Sequence, residues 1–240
     1  MINGLITAIT SWLVLSCSDS FIQSKGDDYM CGRYFLYADI EVIVDAFDLD
    51  QELEYEKRYN IAPSQGVLAV VAGRNAYKAG YLEWGYPVFY EGKAKPVINA
   101  RAETVSEKQS FRESFAKRRC LILTSGYYEW RPEGRGKQPY RFTKRDEGLF
   151  AFAGIWTRNP EKKEKPAACA ILTKQADHFF EPYHHRMPMF MSIEEGKKWL
   201  SYHDDELTRN SELKLEAIPV SAAVNNVKNN EPGCIEPITN

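Results

Sequence analysis

The sequence predicts one α+β domain in which strands outnumber helices, and three observations carry that reading. The chain has 240 residues, 44% hydrophobic and 27% charged, which suits a globular protein with one large core or at most two small ones. Short β-branched or aromatic runs recur along it, separated by turn residues such as glycine, asparagine and proline. Only 38–49, 107–119 and 193–200 carry helical spacing. The chain shows no internal repeat, nucleotide-binding glycine loop or coiled-coil heptad.

Taken in order from Met30, the motif Cys31-Gly32-Arg33-Tyr34 opens the domain. In 38–49, Ile40, Ile43, Val44 and Phe47 fall on one helical face. Residues 58–63 read as an extended or turn segment, because Pro63 restrains Ala62. Two strands are expected at 67–72 and 81–86, joined by a turn at Gly73-Arg74-Asn75. A helix over 107–119 places Phe111 and Phe115 on one face and ends in Lys117-Arg118-Arg119, which either complements the helix dipole or also attracts DNA. Strands follow at 120–124, 140–143, 149–156 and 167–173. Ser125-Gly126 breaks the first of these just ahead of Tyr127-Tyr128-Glu129-Trp130, and 131–138 forms a charged hairpin tip. Residues 161–165 read as a solvated charge run. Ser192 starts the helix at 193–200, and 217–220 makes the last strand. The amides of the Asn-rich segment 225–230 suit either loop support or contact with a sugar-phosphate backbone.

Residues 1–29 stand apart from the domain at 30–240. Their apolar run is too short to cross a bilayer and lacks the basic start of a signal peptide. Two readings fit: translation begins at Met30, or the segment is a pro-sequence removed ahead of Cys31. Either leaves Cys31 as the mature N-terminus once Met30 is gone. Residues 1–29 hold Lys25 against Asp19, Asp27 and Asp28, so 30–240 carries 30 basic and 30 acidic groups. Bulk charge therefore does not advertise nucleic-acid binding, and any phosphate contact must come from a local cluster. The five cysteines, odd in number and unpaired in spacing, indicate reduced thiols in a cytoplasmic protein rather than a disulfide framework or zinc site. His178, His184 and His185 match no zinc spacing, so neither metal nor cofactor is expected.

Chemistry centres on Cys31. As a first residue it would present an α-amine, with a pKa of about 7.7–8.0, beside a thiol of about 8.5. Together these take an aldehyde to an imine and close it to a five-membered thiazolidine. An isolated cysteine is more commonly a small buried hydrophobe. Glu129, a carboxylate among aromatic residues at a strand end, suits general acid and base work. Asn99 offers donor and acceptor, and Arg101 a planar fork for phosphate, although both also suit loop support. Trp84 is either core or a platform for an unpaired base.

Asn99, Arg101 and Glu129 fall within a set of five stretches: Arg58-Tyr59-Asn60-Ile61-Ala62-Pro63, Ile98-Asn99-Ala100-Arg101-Ala102-Glu103-Thr104, Gly126-Tyr127-Tyr128-Glu129-Trp130, His184-His185-Arg186-Met187-Pro188 and Val224-Asn225-Asn226-Val227-Lys228-Asn229. In this order, behind Met30-Cys31-Gly32-Arg33-Tyr34, they resemble the SRAP family (SOS response-associated peptidase domain). The likeness runs from Met30 to about Pro237. It implies a single SRAP-like domain with a barrel-like, mainly antiparallel β core and peripheral helices. Family members shield abasic sites in single-stranded DNA through a covalent link from an N-terminal cysteine. By resemblance, Cys31, Glu129, His184 and Asn99 are the catalytic candidates, with His185 in reserve for His184. Arg33, Arg101, Trp84 and Trp130 are the DNA-binding candidates. The expected partner is single-stranded DNA containing abasic sites, bound by a cytoplasmic bacterial protein, nucleoid-associated on DNA, that is a monomer and touches no membrane. Self-processing peptidase and lyase activities accompany that reading. A general thiol peptidase and a noncovalent single-strand binder are its rivals.

Overall fold

The computed structural model describes residues 32–158, 166–201 and 211–238; the segment 1–29, Cys31 and the charge run at 161–165 lie outside them. In chain order its elements are β1 (Tyr34–Leu36), α1 (Ile40–Phe47), β2 (Arg58–Ile61), β3 (Gly66–Ala72), β4 (Tyr77–Trp84), β5 (Tyr86–Tyr90), β6 (Lys93–Val97), β7 (Asn99–Arg101) and α2 (Arg112–Lys117). There follow β8 (Arg119–Thr124), β9 (Gly126–Glu133), β10 (Gly136–Lys144), β11 (Phe150–Thr157), β12 (Ala168–Gln175), β13 (Arg186–Pro188), β14 (Phe190–Met191), α3 (Ile193–Leu200) and β15 (Leu215–Pro219).

Five strands, in the order β15-β10-β9-β1-β2, form one sheet. A larger sheet runs β13-β12-β4-β3-β8-β11-β14, and a further pairing of β11 with β12 closes β12, β4, β3, β8 and β11 into a barrel-like ring. Most pairings are antiparallel; β4 and β7 are the exceptions, both lying parallel to β12. β8, β11 and β12 are buried along most of their lengths, which is why they read in the sequence as continuous apolar runs.

Period-two alternation assigns the two faces of the five-stranded sheet. Tyr34, Leu36, Tyr127 and Phe142 join the main core, whereas Phe35 and Tyr128 join a smaller cluster with Val220, Val224 and Cys234. Ring contacts link the sheets across the main core: Tyr34 to Trp84 at 5.5 Å and to Phe152 at 5.8 Å, and Tyr127 to Phe152 at 5.8 Å. At the β8–β9 corner Gly126 allows the chains to touch, since a Cβ there would meet the Phe35 ring and the Phe142 carbonyl. α3 begins with a capping box, the Ser192 hydroxyl accepting from the Glu195 amide and the Glu195 carboxylate from the Ser192 amide.

Two expected elements differ. The helix over 107–119 shortens to α2, because the Ser110 carbonyl is taken by the Tyr86 hydroxyl (3.0 Å) while Phe111 packs edge-on against the Tyr86 ring. Arg119, expected at that helix's basic end, is instead the first residue of β8. It is buried, its guanidinium 4.6 Å from the Phe115 ring and 4.3 Å from the Trp199 ring, so it is closed to DNA. The strand expected at 81–86 divides at Gly85, where the chain leaves the ring as a β5–β6 ribbon and returns as β7 to the same edge of β12.

Candidate active site

Glu129 lies on β9 opposite Tyr140 of β10, two residues beyond Tyr127 and so directed to the same side of the sheet. Only 8% of it is exposed. There the core opens into a cavity of about 510 Å³ lined by Glu129, Trp130, Pro132, Lys137, Tyr183, His184 and His185. The opposite wall is the turn at 177–185. The Asp177 carboxylate accepts from the Phe179 and Phe180 amides, and Phe180 and Tyr183 pack on Phe142 at 5.2 and 4.8 Å. Glu129 and His184, 55 positions apart in sequence, thus share one cavity because the turn packs on β10.

His184 stacks on His185 with ring centroids 4.3 Å apart, so both candidates reach the cavity. Their bonding separates them. The Nδ1 of His184 accepts the Arg186 amide at 3.0 Å, so the neutral ring carries its proton on Nε2. Arg186 does more than supply that amide. Its guanidinium grips Glu103 as a fork, Nη1 to Oε1 at 2.7 Å and Nη2 to Oε2 at 2.8 Å, and donates to the Thr173 carbonyl at 2.7 Å. The Arg186 fork holds the Glu103 carboxyl below its ordinary 4.5. This clasp ties the histidine segment to the turn after β7, the strand on which Asn99 and Arg101 stand beside Ile171 and Thr173 of β12. Asn99 is half-buried and Arg101 exposed; neither belongs to the cavity wall.

The start of the described chain runs toward this cavity. β1 pairs antiparallel with β9, Tyr34 opposite Tyr127, and the Tyr128 amide donates to the Arg33 carbonyl at 3.0 Å. Each step back from Tyr34 therefore advances one residue along β9 toward Glu129 and Trp130.

Among the DNA-binding candidates, Trp84 is corrected. It is 0% exposed, packs on Tyr34 and donates from Nε1 to the Ile98 carbonyl at 3.0 Å, so no base can stack on it in this fold. Trp130 is the partly exposed indole at the cavity, its Nε1 held by the Asn225 side chain at 2.7 Å and the Arg33 guanidinium 5.8 Å from its ring. Arg33 itself is half-buried, donating through Nη1 to Asn60 Oδ1 (2.9 Å) and the Val224 carbonyl (2.7 Å). Asn60 completes the junction by donating to the carbonyls of Val224, Asn226 and Asn229, while Asn230 accepts from the Tyr59 and Asn60 amides. The Asn-rich segment is thereby loop support.

Two features escaped sequence reasoning. The Glu103–Arg186 clasp links residues 83 apart, and nothing local marks either as the other's partner. Lys137, read as part of a hairpin tip, lies opposite Pro132 and lines the cavity. Burial pushes the Cys120 and Cys169 thiols well above the ordinary value, so neither is a nucleophile near neutral pH.

The sequence matches the SOS response associated peptidase (SRAP) family over residues 30–227. Abasic site processing protein YoqW of Bacillus subtilis is 36% identical over 222 residues, covering 86% of this chain and 99% of the relative. Abasic site processing protein YedK of Escherichia coli is 28% identical over 226 residues, covering 87% and 100%. Abasic site processing protein HMCES of Gallus gallus is 32% identical over 169 residues, covering 58% of this chain and 50% of the relative. A crystal structure of a protein from Bacteroides thetaiotaomicron shares the fold with a TM-score of 0.70 at 23% identity, covering 87% of this chain and all of that one. A second, from Bordetella bronchiseptica, does so with a TM-score of 0.67 at 24% identity, covering 80% of this chain and 100% of that one. With the family matched across nearly the whole domain and the same fold in both crystal structures, this chain belongs to the SRAP family.

Proposed function

We propose that this protein processes abasic sites in single-stranded DNA by forming a covalent thiazolidine between the lesion and Cys31. The observation that carries the reading is the convergence on one cavity. Glu129 and His184 line it, and the β1–β9 ladder leads the chain start toward it. Cys31 immediately precedes Gly32 and Arg33, the first residues of the segment that this ladder aligns with β9.

The chemistry needs a free nitrogen on Cys31, hence loss of everything ahead of it. The α-amine attacks C1′ of the ring-opened sugar aldehyde, giving a carbinolamine that loses water to form an imine. The Cys31 sulfur then bonds to the same carbon while the thiol proton passes to nitrogen. The balance is one aldehyde and one cysteine joined with release of one water. Glu129 takes and returns the amine's protons. The Nε2 proton of His184 suits donation to the sugar ring oxygen as it opens. A ring in this tautomer lacks the free lone pair that a thiolate–imidazole peptidase pair requires, which favours the abasic-site reading over a general thiol peptidase. Trp130 offers a face for a neighbouring base, and the exposed Arg101 and Lys137 supply cations for flanking phosphates. The protein works in the cytoplasm as a monomer and protects the lesion from strand cleavage, with slow release or lyase activity through Glu129.

The test uses denaturing gels. Mature protein mixed with abasic single-stranded DNA should give an adduct that survives denaturation, and Cys31→Ala should abolish it. Glu129→Gln should slow its formation by about 10²-fold or more while folding is retained. An adduct that persists in Cys31→Ala moves the nucleophile elsewhere.

A further inference from the structure

The β5–β6 ribbon pairs with no other strand among the described residues and projects from the ring between β4 and β7. Its register sorts the side chains. Tyr90 lies opposite Lys93 and Val88 opposite Lys95, so Tyr90, Lys93 and Lys95 share the tip of one face. Tyr90 is 61% exposed, both lysines are exposed, and Lys95 Nζ stands 5.5 Å from the Tyr90 ring centroid. At the turn Glu91 and Gly92 adopt positive φ (50° and 72°), giving the tight reversal that keeps these groups at the end of the ribbon. The root is rigid. Tyr86 is buried against Phe111 and Ser114, and the Trp84 indole donates to the Ile98 carbonyl where the chain returns.

An exposed aromatic ring flanked by two lysines costs solubility and serves no packing purpose within the chain, so its occupant has to come from outside. Charge identifies the class. Residues 30–240 balance overall, yet residues 86–117, the ribbon through α2, hold six basic side chains against four acidic ones. This is the local cluster that a neutral domain needs for phosphate contact. An aromatic face beside cations is the arrangement that takes an unpaired base and its flanking phosphates. The ribbon ends at Val97, two residues before β7, whose following turn is tied through Glu103 and Arg186 to the histidine segment.

We propose that the β5–β6 ribbon is a second platform for single-stranded DNA, with Tyr90 stacking on a base and Lys93 and Lys95 holding phosphates of the strand that leads away from the lesion. The inference rests on the reading of the protein as a processor of single-stranded DNA. Its work is binding, not chemistry, so its loss leaves the reaction centre intact.

The experiment compares mature wild-type protein with Tyr90→Ala and with Lys93→Gln/Lys95→Gln, each checked for an unchanged melting temperature. Binding to a long undamaged single strand should weaken about 5-fold or more in Tyr90→Ala. The slope of log affinity against log salt should fall by about 1.4 in the double lysine variant. Capture of an abasic trinucleotide, too short to reach the ribbon, should proceed at the wild-type rate in both. Wild-type binding that the ribbon variants leave unchanged overturns this inference alone. Wild-type protein that neither binds the strand nor captures the lesion overturns the functional reading and this inference with it.

Discussion

At the scale of single residues, the two tryptophans near the candidate site do opposite jobs. Trp84 fills the core between the sheets with no exposed surface, whereas Trp130 stands partly open at the cavity and is held through Asn225 and Arg33. Trp84→Ala should therefore lower unfolding free energy by about 3–5 kcal/mol in denaturant titration. Trp130→Ala should cost far less stability and weaken binding to single-stranded DNA by about 5-fold or more. Equal destabilisation by both would make Trp130 a core residue. The sequence offered no means of separating them, because an indole followed by glycine and one preceded by glutamate are equally at home in a core. Glu129 and His184 were grouped in the sequence by family resemblance before any contact was known, and both line one cavity.

Among elements, the Glu103–Arg186 clasp holds β13 and the turn after β7 against β12. The Glu103 carboxyl titrates lower folded than unfolded because Arg186 favours its charged form. Its contribution to stability is thus present above the ordinary 4.5 and lost as pH falls through the lower folded value. Glu103→Gln should be less stable than wild type at neutral pH, and the gap should close as pH falls below the ordinary 4.5 and through the lower folded value. A gap that stays constant down to acid pH would assign the effect to shape and not to charge. The elements most legible in sequence were those buried on both faces: β3, β8 and β11 each announce themselves as apolar runs. β7 and β13 are three residues long and exist because β12 offers them an edge, which no local pattern encodes. The 107–119 pattern overran for a related reason, since a distant tyrosine hydroxyl intercepts a carbonyl that the helix ladder would have used.

For the whole molecule, the two packed sheets together form the body on which four separate chain segments meet. The chain start runs along β9, the histidine turn is bolted to β10, β7 is clasped through Glu103, and the C-terminal Asn-rich segment braces Arg33 and Trp130. The α+β character and excess of strands followed from composition and pattern, but closure of the ring depends on a parallel pairing of β4 with β12 that joins residues more than 80 positions apart. The central claim is that Cys31 meets the lesion with a free amine and an adjacent thiol. Intact-mass measurement of the expressed protein, before and after mixing with abasic single-stranded DNA, tests it most directly. The account predicts a polypeptide beginning at Cys31 and an adduct equal to protein plus DNA less one water. An adduct-forming polypeptide that still carries any residue ahead of Cys31 would contradict it, because the nitrogen would then be an amide and the ring could not close.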